Sequence, residues 1–344
     1  MGVASQPGKA VLIPKKFQAG DQLRVLALSR SIGGMLRSSG LTETDIEFAQ
    51  KRLESLGLRV TFGEHVWECD EHLTAPIELR LEDLRQALND VSVRGIIAVT
   101  GGIGAIQLLD SLDYGLFISY PKILCGYSDV GYLCNAIYAR SGLVTYYVPN
   151  FTSFMMRQGA EYTLQNFQAC LFQAEPMSVL PAREWSDDAW ANEQQKRTFL
   201  PSTDWWPING GATEGTIIGG SAFCLTMLQG SKYFPPLEDA ILFLEQPGEG
   251  KASLMALDSS LRALSFQPNF DLVRGVVIGR YPRSAGIDQE KLVRIVQAIP
   301  ALARMPVLAN CDFGHTTPVL TLPIGGRCRL RVREGKSEIL VTEH

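Results

Sequence analysis

The 344-residue chain has four histidines, no CxxC pair among its seven cysteines and no cluster of lysines and arginines. It also lacks any run of 18 apolar residues, so no membrane-spanning helix is expected. Residues 1 to 20 contain no continuous apolar core of the kind a secretory leader needs. The cysteines, at 69, 125, 134, 170, 224, 311 and 328, are odd in number and scattered, several within apolar runs where a thiol packs as a small hydrophobe. That usage suits a reducing compartment, and a cytoplasmic location is expected. A net charge of −4 without a basic patch argues against nucleic acid as a partner and favours a small or peptidic ligand.

With 46% hydrophobic and 20% charged residues, the composition is that of a globular protein with a large core. A single core rarely grows past about 250 to 300 residues, so this length favours two domains. The first half alternates strand and helix signals. Leu23–Leu28, Leu58–Phe62, Ile96–Thr100 and Ile123–Cys125 read as strands, with helices over Thr42–Leu56, Pro76–Asn89 and Val130–Arg140 and another opened by Gly101–Gly104. Such alternation implies an α/β fold with a parallel sheet covered on both faces and ligands at the strand ends. Between about 175 and 209 the periodicity fails, and Trp185, Trp190, Trp205 and Trp206 stand among polar residues; this reads as a linker or lid. A strand-rich α/β domain follows. The expected division is 1–174, 175–209 and 210–344.

Three residues that carry reactive chemistry follow apolar strands: Ser128, Glu245 and His315. Ser128 lies where Ile123-Leu124-Cys125 turns through Gly126-Tyr127-Ser128-Asp129 into a helix, the layout of a nucleophile elbow. The helix dipole and free amides would polarise its hydroxyl, although Ser and Asp also serve simply as helix caps. Histidine can take the serine proton and a carboxylate can orient the histidine. Of the four histidines, His315 alone lies in a turn directly after a buried strand. The Gly101-Gly102-Ile103-Gly104 segment lacks phosphate-loop spacing; it suits an oxyanion hole in which the Gly102 and Asp129 amides face the same point.

The chain resembles the serine peptidases of the L,D-carboxypeptidase family, most closely its microcin-immunity branch. The resemblance rests on Gly20-Asp21, Thr100 to Gly104, Gly126-Tyr127-Ser128-Asp129, Gly219-Gly220-Ser221, Leu242 to Glu245 and Gly314 to Pro318. It implies an N-terminal flavodoxin-like domain and a C-terminal β-rich α/β domain of the swivelling type. It also implies Ser128 as nucleophile, Glu245 as acid, His315 as base, no metal or organic cofactor, and a homodimer. Thr100 stands where muropeptide-cleaving members usually have arginine, and Ser221 where many members have asparagine. The tryptophan tract resembles the insert that, in the microcin-immunity branch, stacks on the base of a peptidyl nucleotide. Gly101, Trp185, Trp190 and Ser221 are therefore expected at the substrate. Two alternatives remain open at this point: a muropeptide L,D-carboxypeptidase releasing terminal D-alanine, and a non-catalytic ligand-binding protein in which Ser128 only caps its helix.

Overall fold

Short uninterrupted apolar runs, as expected of strands covered on both faces, form the centres of two sheets in the computed structural model, which describes residues 10–344 apart from 249 and 251. The first half contains β1 (Gln22–Leu26), β2 (Arg59–Phe62), β3 (Val93–Ala98), β4 (Ile123–Gly126) and β5 (Thr145–Tyr147). The middle adds β6 (Met177–Val179), β7 (Glu184–Trp185), β8 (Leu200–Pro201) and β9 (Trp206–Asn209). The second half contributes β10 (Gly211–Ser221), β11 (Ala240–Glu245), β12 (Gly275–Gly279), β13 (Val307–Cys311), β14 (Leu322–Ile324), β15 (Arg327–Val332) and β16 (Glu338–Glu343).

In the first sheet five parallel strands take the order 2-1-3-4-5, the flavodoxin-like order, and β14 closes one edge antiparallel to β5. The order reverses at β1, so the loops after β1 and β3 flank a crevice at the carboxyl ends of the strands. The expected helices are Glu43–Ser55, opened by a Thr42–Asp45 capping box, and Ile77–Asn89. The helix expected to open at Gly101 instead begins as a 3-10 turn at Ala105. The Ala105 N–H is drawn 3.0 Å from the Asp129 carboxylate, which leaves Gly101–Gly104 as an open loop.

The second sheet has the order 6-16-15-10-11-12-13-9, with β10 to β13 parallel and the outer strands antiparallel. Two features depart from the expected division. The stretch read as a linker supplies both edge strands of this sheet, β6 and β9; only β7 and β8 form a separate ribbon. β6 is three residues long and the four residues of β9 are all half-buried, so neither carries a period long enough to read from the sequence. In addition, β14 returns to the first sheet, where Pro323 lies on the edge and its missing N–H interrupts no ladder.

The two domains are tied by directed polar contacts. The Asn135 amide donates to Gly219 O at 2.7 Å and accepts the Gly219 N–H at 3.3 Å, while Thr163 Oγ1 accepts the Val319 N–H at 3.0 Å. No described helix is long and apolar enough to cross a membrane.

Candidate active site

The chain leaves β4 through a turn in which Ser128 has φ +62°, a left-handed backbone that costs a non-glycine residue about 1–2 kcal/mol. A 3-10 turn over Ser128–Val130 leads into helix Gly131–Ser141. Gly126 is needed for room, since a Cβ there would lie 2.1 Å from Val130 Cγ1. Gly101 is needed for the same reason: its Cβ would lie 2.6 Å from that of Ser128. Asn150 Oδ1 accepts the Tyr127 N–H at 2.8 Å and pins the turn from the far side.

Glu245 ends β11 and is 1% exposed. Its Oε2 lies 2.7 Å from His315 Nδ1, and His315 Nε2 lies 3.3 Å from Ser128 Oγ. The other carboxylate oxygen accepts the Tyr147 hydroxyl at 2.7 Å. Burial, reinforced by the charge of Glu245, pushes the Tyr147 and Tyr127 phenols far above their ordinary range, so both remain protonated donors. Tyr127 Oη donates to Gly314 O at 2.6 Å and its ring stands 4.8 Å from the His315 ring, which ties the serine turn to the histidine loop.

A buried ion pair supports that loop. Arg280 and Asp312 meet at 2.7 Å, and Asp312 also accepts the Trp205 indole N–H and the Ala182 N–H, each at 3.0 Å. Satisfying the remaining carboxylate valences in this way offsets the desolvation of the two charges. On the other side of the serine, the buried Asp129 carboxyl accepts the Ser29 hydroxyl at 2.8 Å. Burial raises its pKa, opposed by bonds from the Ala105 amide, Ser29 and the Gly102 and Gly104 amides. The Asp129 side chain thus organises the glycine loop.

A cavity of about 430 Å³ opens in front of this group, lined among others by Ser128, His315, Gly101, Gly102, Arg30 and Trp190. Two expected substrate residues lie elsewhere. Trp185 is paired within the β7–β8 ribbon and carries the Arg280 guanidinium over its ring at 5.1 Å, so it packs the scaffold. Ser221 is 1% exposed, and its oxygen caps helix Ala222–Met227 by accepting the Cys224 N–H at 3.4 Å. The tryptophan insert docks on the loop after His315 through two backbone bonds between Ser186 and Thr317, both 2.8 Å. Tyr147 and Arg30 escaped the sequence reading. The aromatic, β-branched run Thr145-Tyr146-Tyr147 was a strand signal that would have placed Tyr147 at a sheet end.

Comparison with known proteins gives concordant results. Two family models match, described as the LD-carboxypeptidase N-terminal domain over residues 27–148 and the LD-carboxypeptidase C-terminal domain over residues 214–330. The Bacillus subtilis protein named "Putative carboxypeptidase YocD" is 37% identical over 329 residues, 96% of this chain and 99% of that protein. The microcin C7 self-immunity protein MccF of Escherichia coli is 27% identical over 341 residues, 92% of this chain and 94% of that protein. The crystal structure of an MccF-like protein from Bacillus anthracis has a TM-score of 0.93 at 40% identity, covering 97% of this chain and 100% of that one. MccF solved in complex with aspartyl sulfamoyl adenosine has a TM-score of 0.84 at 25% identity, covering 97% of this chain and 99% of that one.

Proposed function

Because the chain belongs to the LD-carboxypeptidase family of serine peptidases, with both family domains matched in order, we propose that Ser128, His315 and Glu245 form the triad with which it hydrolyses an amide in a peptidyl or aminoacyl nucleotide. The observation that carries this reading is His315 standing between Ser128 Oγ at 3.3 Å and Glu245 at 2.7 Å. Glu245 holds the proton on Nδ1, which leaves Nε2 free to accept the serine proton. The 3.3 Å contact shortens when substrate fills the cavity.

Oγ attacks the scissile carbonyl, the Asp129 N–H receives the developing oxyanion, and the Gly102 N–H joins it by turning away from the Asp129 carboxylate that it faces without substrate. The imidazolium then protonates the departing nitrogen, the C–N bond breaks, and an acyl-serine remains. Water, deprotonated by the same histidine, hydrolyses that ester and restores Ser128. The nucleotide portion of the reading is supported by Trp190 in the cavity wall and by the aspartyl sulfamoyl adenosine bound to the related MccF. A ring stacked on an indole contributes roughly 1–3 kcal/mol.

The test is an assay of aspartyl sulfamoyl adenosine beside a muropeptide tetrapeptide, with Trp190→Ala and Trp185→Ala. Trp190→Ala is expected to slow the nucleotide substrate selectively, and Trp185→Ala to lower Tm without selectivity. Cleavage of the tetrapeptide alone would overturn the nucleotide assignment.

A further inference from the structure

We propose that Arg30 is the anion-recognising residue of this cavity: its guanidinium binds the oxyanion that lies two or three bonds beyond the scissile carbonyl on the leaving-group side. The inference rests on the hydrolytic reading above and adds the chemistry of the departing group. Among the described residues lining the cavity, Arg30, Asp188, Tyr127 and His315 are the titratable ones. Asp188 is already answered, by Arg197 Nε at 2.8 Å and by the Thr198 N–H at 2.9 Å. His315 is held by Glu245 and Tyr127 by Gly314 O. Arg30, half-buried, donates to the neutral Ser38 hydroxyl at 3.2 Å and has no acidic partner among the described residues. The cavity therefore holds a guanidinium without a counter-charge.

Its position selects the ligand. Arg30 lies on the loop after β1, at the reversal of strand order where such sheets bind ligands. A Cβ on Gly102 would lie 3.4 Å from Arg30 Cβ, so the arginine borders the glycine loop beside Ser128. Its outer end reaches Ser38, and two residues further on the backbone of Ala191 and Asn192 packs within 3.0 and 3.1 Å of a Cβ built on Gly40. Arg30 and Trp190 both line the cavity. An amide substrate carries an anion close to the departing nitrogen in either of two forms: the terminal carboxylate of a departing amino acid, or the phosphoryl or sulfamoyl group joining an aminoacyl unit to a nucleoside. A planar guanidinium pairs with both by two parallel hydrogen bonds.

The experiment compares wild type, Arg30→Gln and Arg30→Lys on three probes: a tetrapeptide with a free terminal carboxylate, the same peptide as its carboxamide, and aspartyl sulfamoyl adenosine. Binding of each probe is measured in parallel by calorimetry in the Ser128→Ala background. Arg30→Gln is expected to lower kcat/KM, and binding, on the order of 100-fold for an anionic probe, and to leave the carboxamide within about threefold. Arg30→Lys retains the charge but not the fork and falls between them. Loss confined to the tetrapeptide assigns the terminal carboxylate, and loss confined to the sulfamoyl probe assigns the linking anion. Equal losses on acid and carboxamide, or none in rates or binding, would overturn the proposal. Binding that depends on Arg30 without cleavage of any probe would sink the hydrolytic reading and keep this one; cleavage indifferent to Arg30 would do the reverse.

Discussion

Removing one oxygen, in Tyr147→Phe, probes the support of Glu245 without touching the reacting atoms. The Tyr147 hydroxyl donates at 2.7 Å to a carboxylate that is 1% exposed, so no water can readily take its place. A hydrogen bond to a charged group contributes about 1.5–3 kcal/mol. At roughly 2.1 cal/mol/K per residue, 344 residues correspond to an unfolding entropy near 0.7 kcal/mol/K, so Tm should fall by roughly 2–4 °C. Glu245 also loses one of the two side-chain hydrogen bonds that, among the described residues, fix its orientation toward His315. We expect kcat and kcat/KM to drop together by about tenfold, the equivalent of about 1.4 kcal/mol of transition-state stabilisation. Tyr281→Phe is the matched control. That hydroxyl is also buried, near enough to Glu245 for the charge to help raise its pKa, but it has no hydrogen-bond partner among the described residues. Its loss should be neutral or stabilising. Differential scanning calorimetry and steady-state kinetics on the two variants decide the matter; equal Tm and kcat for Tyr147→Phe and wild type would refute the assigned support.

Ser128→Gly and Ser128→Ala should both be inactive, but the glycine variant should be the more stable by about 1–2 kcal/mol in urea titration, because it relieves the left-handed strain. Lys122, which precedes β4, is 7% exposed and donates to Val93 O at 2.8 Å; burial lowers its pKa to about 8. Between that value and the ordinary 10.5 the unfolded chain binds more protons, so stability should rise with pH across this window, by at most about 3 kcal/mol. Denaturant titrations from pH 8 to 10 should show that rise diminished in Lys122→Met.

The sequence disclosed those parts of the fold and site whose signals are local. Ile123-Leu124-Cys125 followed by Gly126 to Asp129 announced both β4 and its sharp exit, and the apolar run before Glu245 announced β11. Long-range pairing was not legible. Nothing local to Leu322-Pro323-Ile324 says that it joins a strand 177 residues earlier, at Thr145 to Tyr147. Trp185 and Trp190 share one polar segment and differ in what they meet: Arg280 covers one ring and the other borders the cavity. Tyr147 was hidden for the same reason, because its partner lies 98 residues away on another sheet. Arg30 carried no motif, and only the placement of its neighbours leaves it without a counter-charge.

The central claim is that Ser128 and His315 act as one hydrolytic unit, and the most direct measurement is a double-mutant comparison of kcat/KM for Ser128→Ala, His315→Ala and the two together on whichever amide the wild type cleaves. If the unit exists, each single variant loses about ten-thousand-fold or more, and the double variant loses no more than either single one, because the function is gone once either member is removed. Losses that multiply in the double variant, or a Ser128→Ala protein that keeps near-normal turnover, would contradict it.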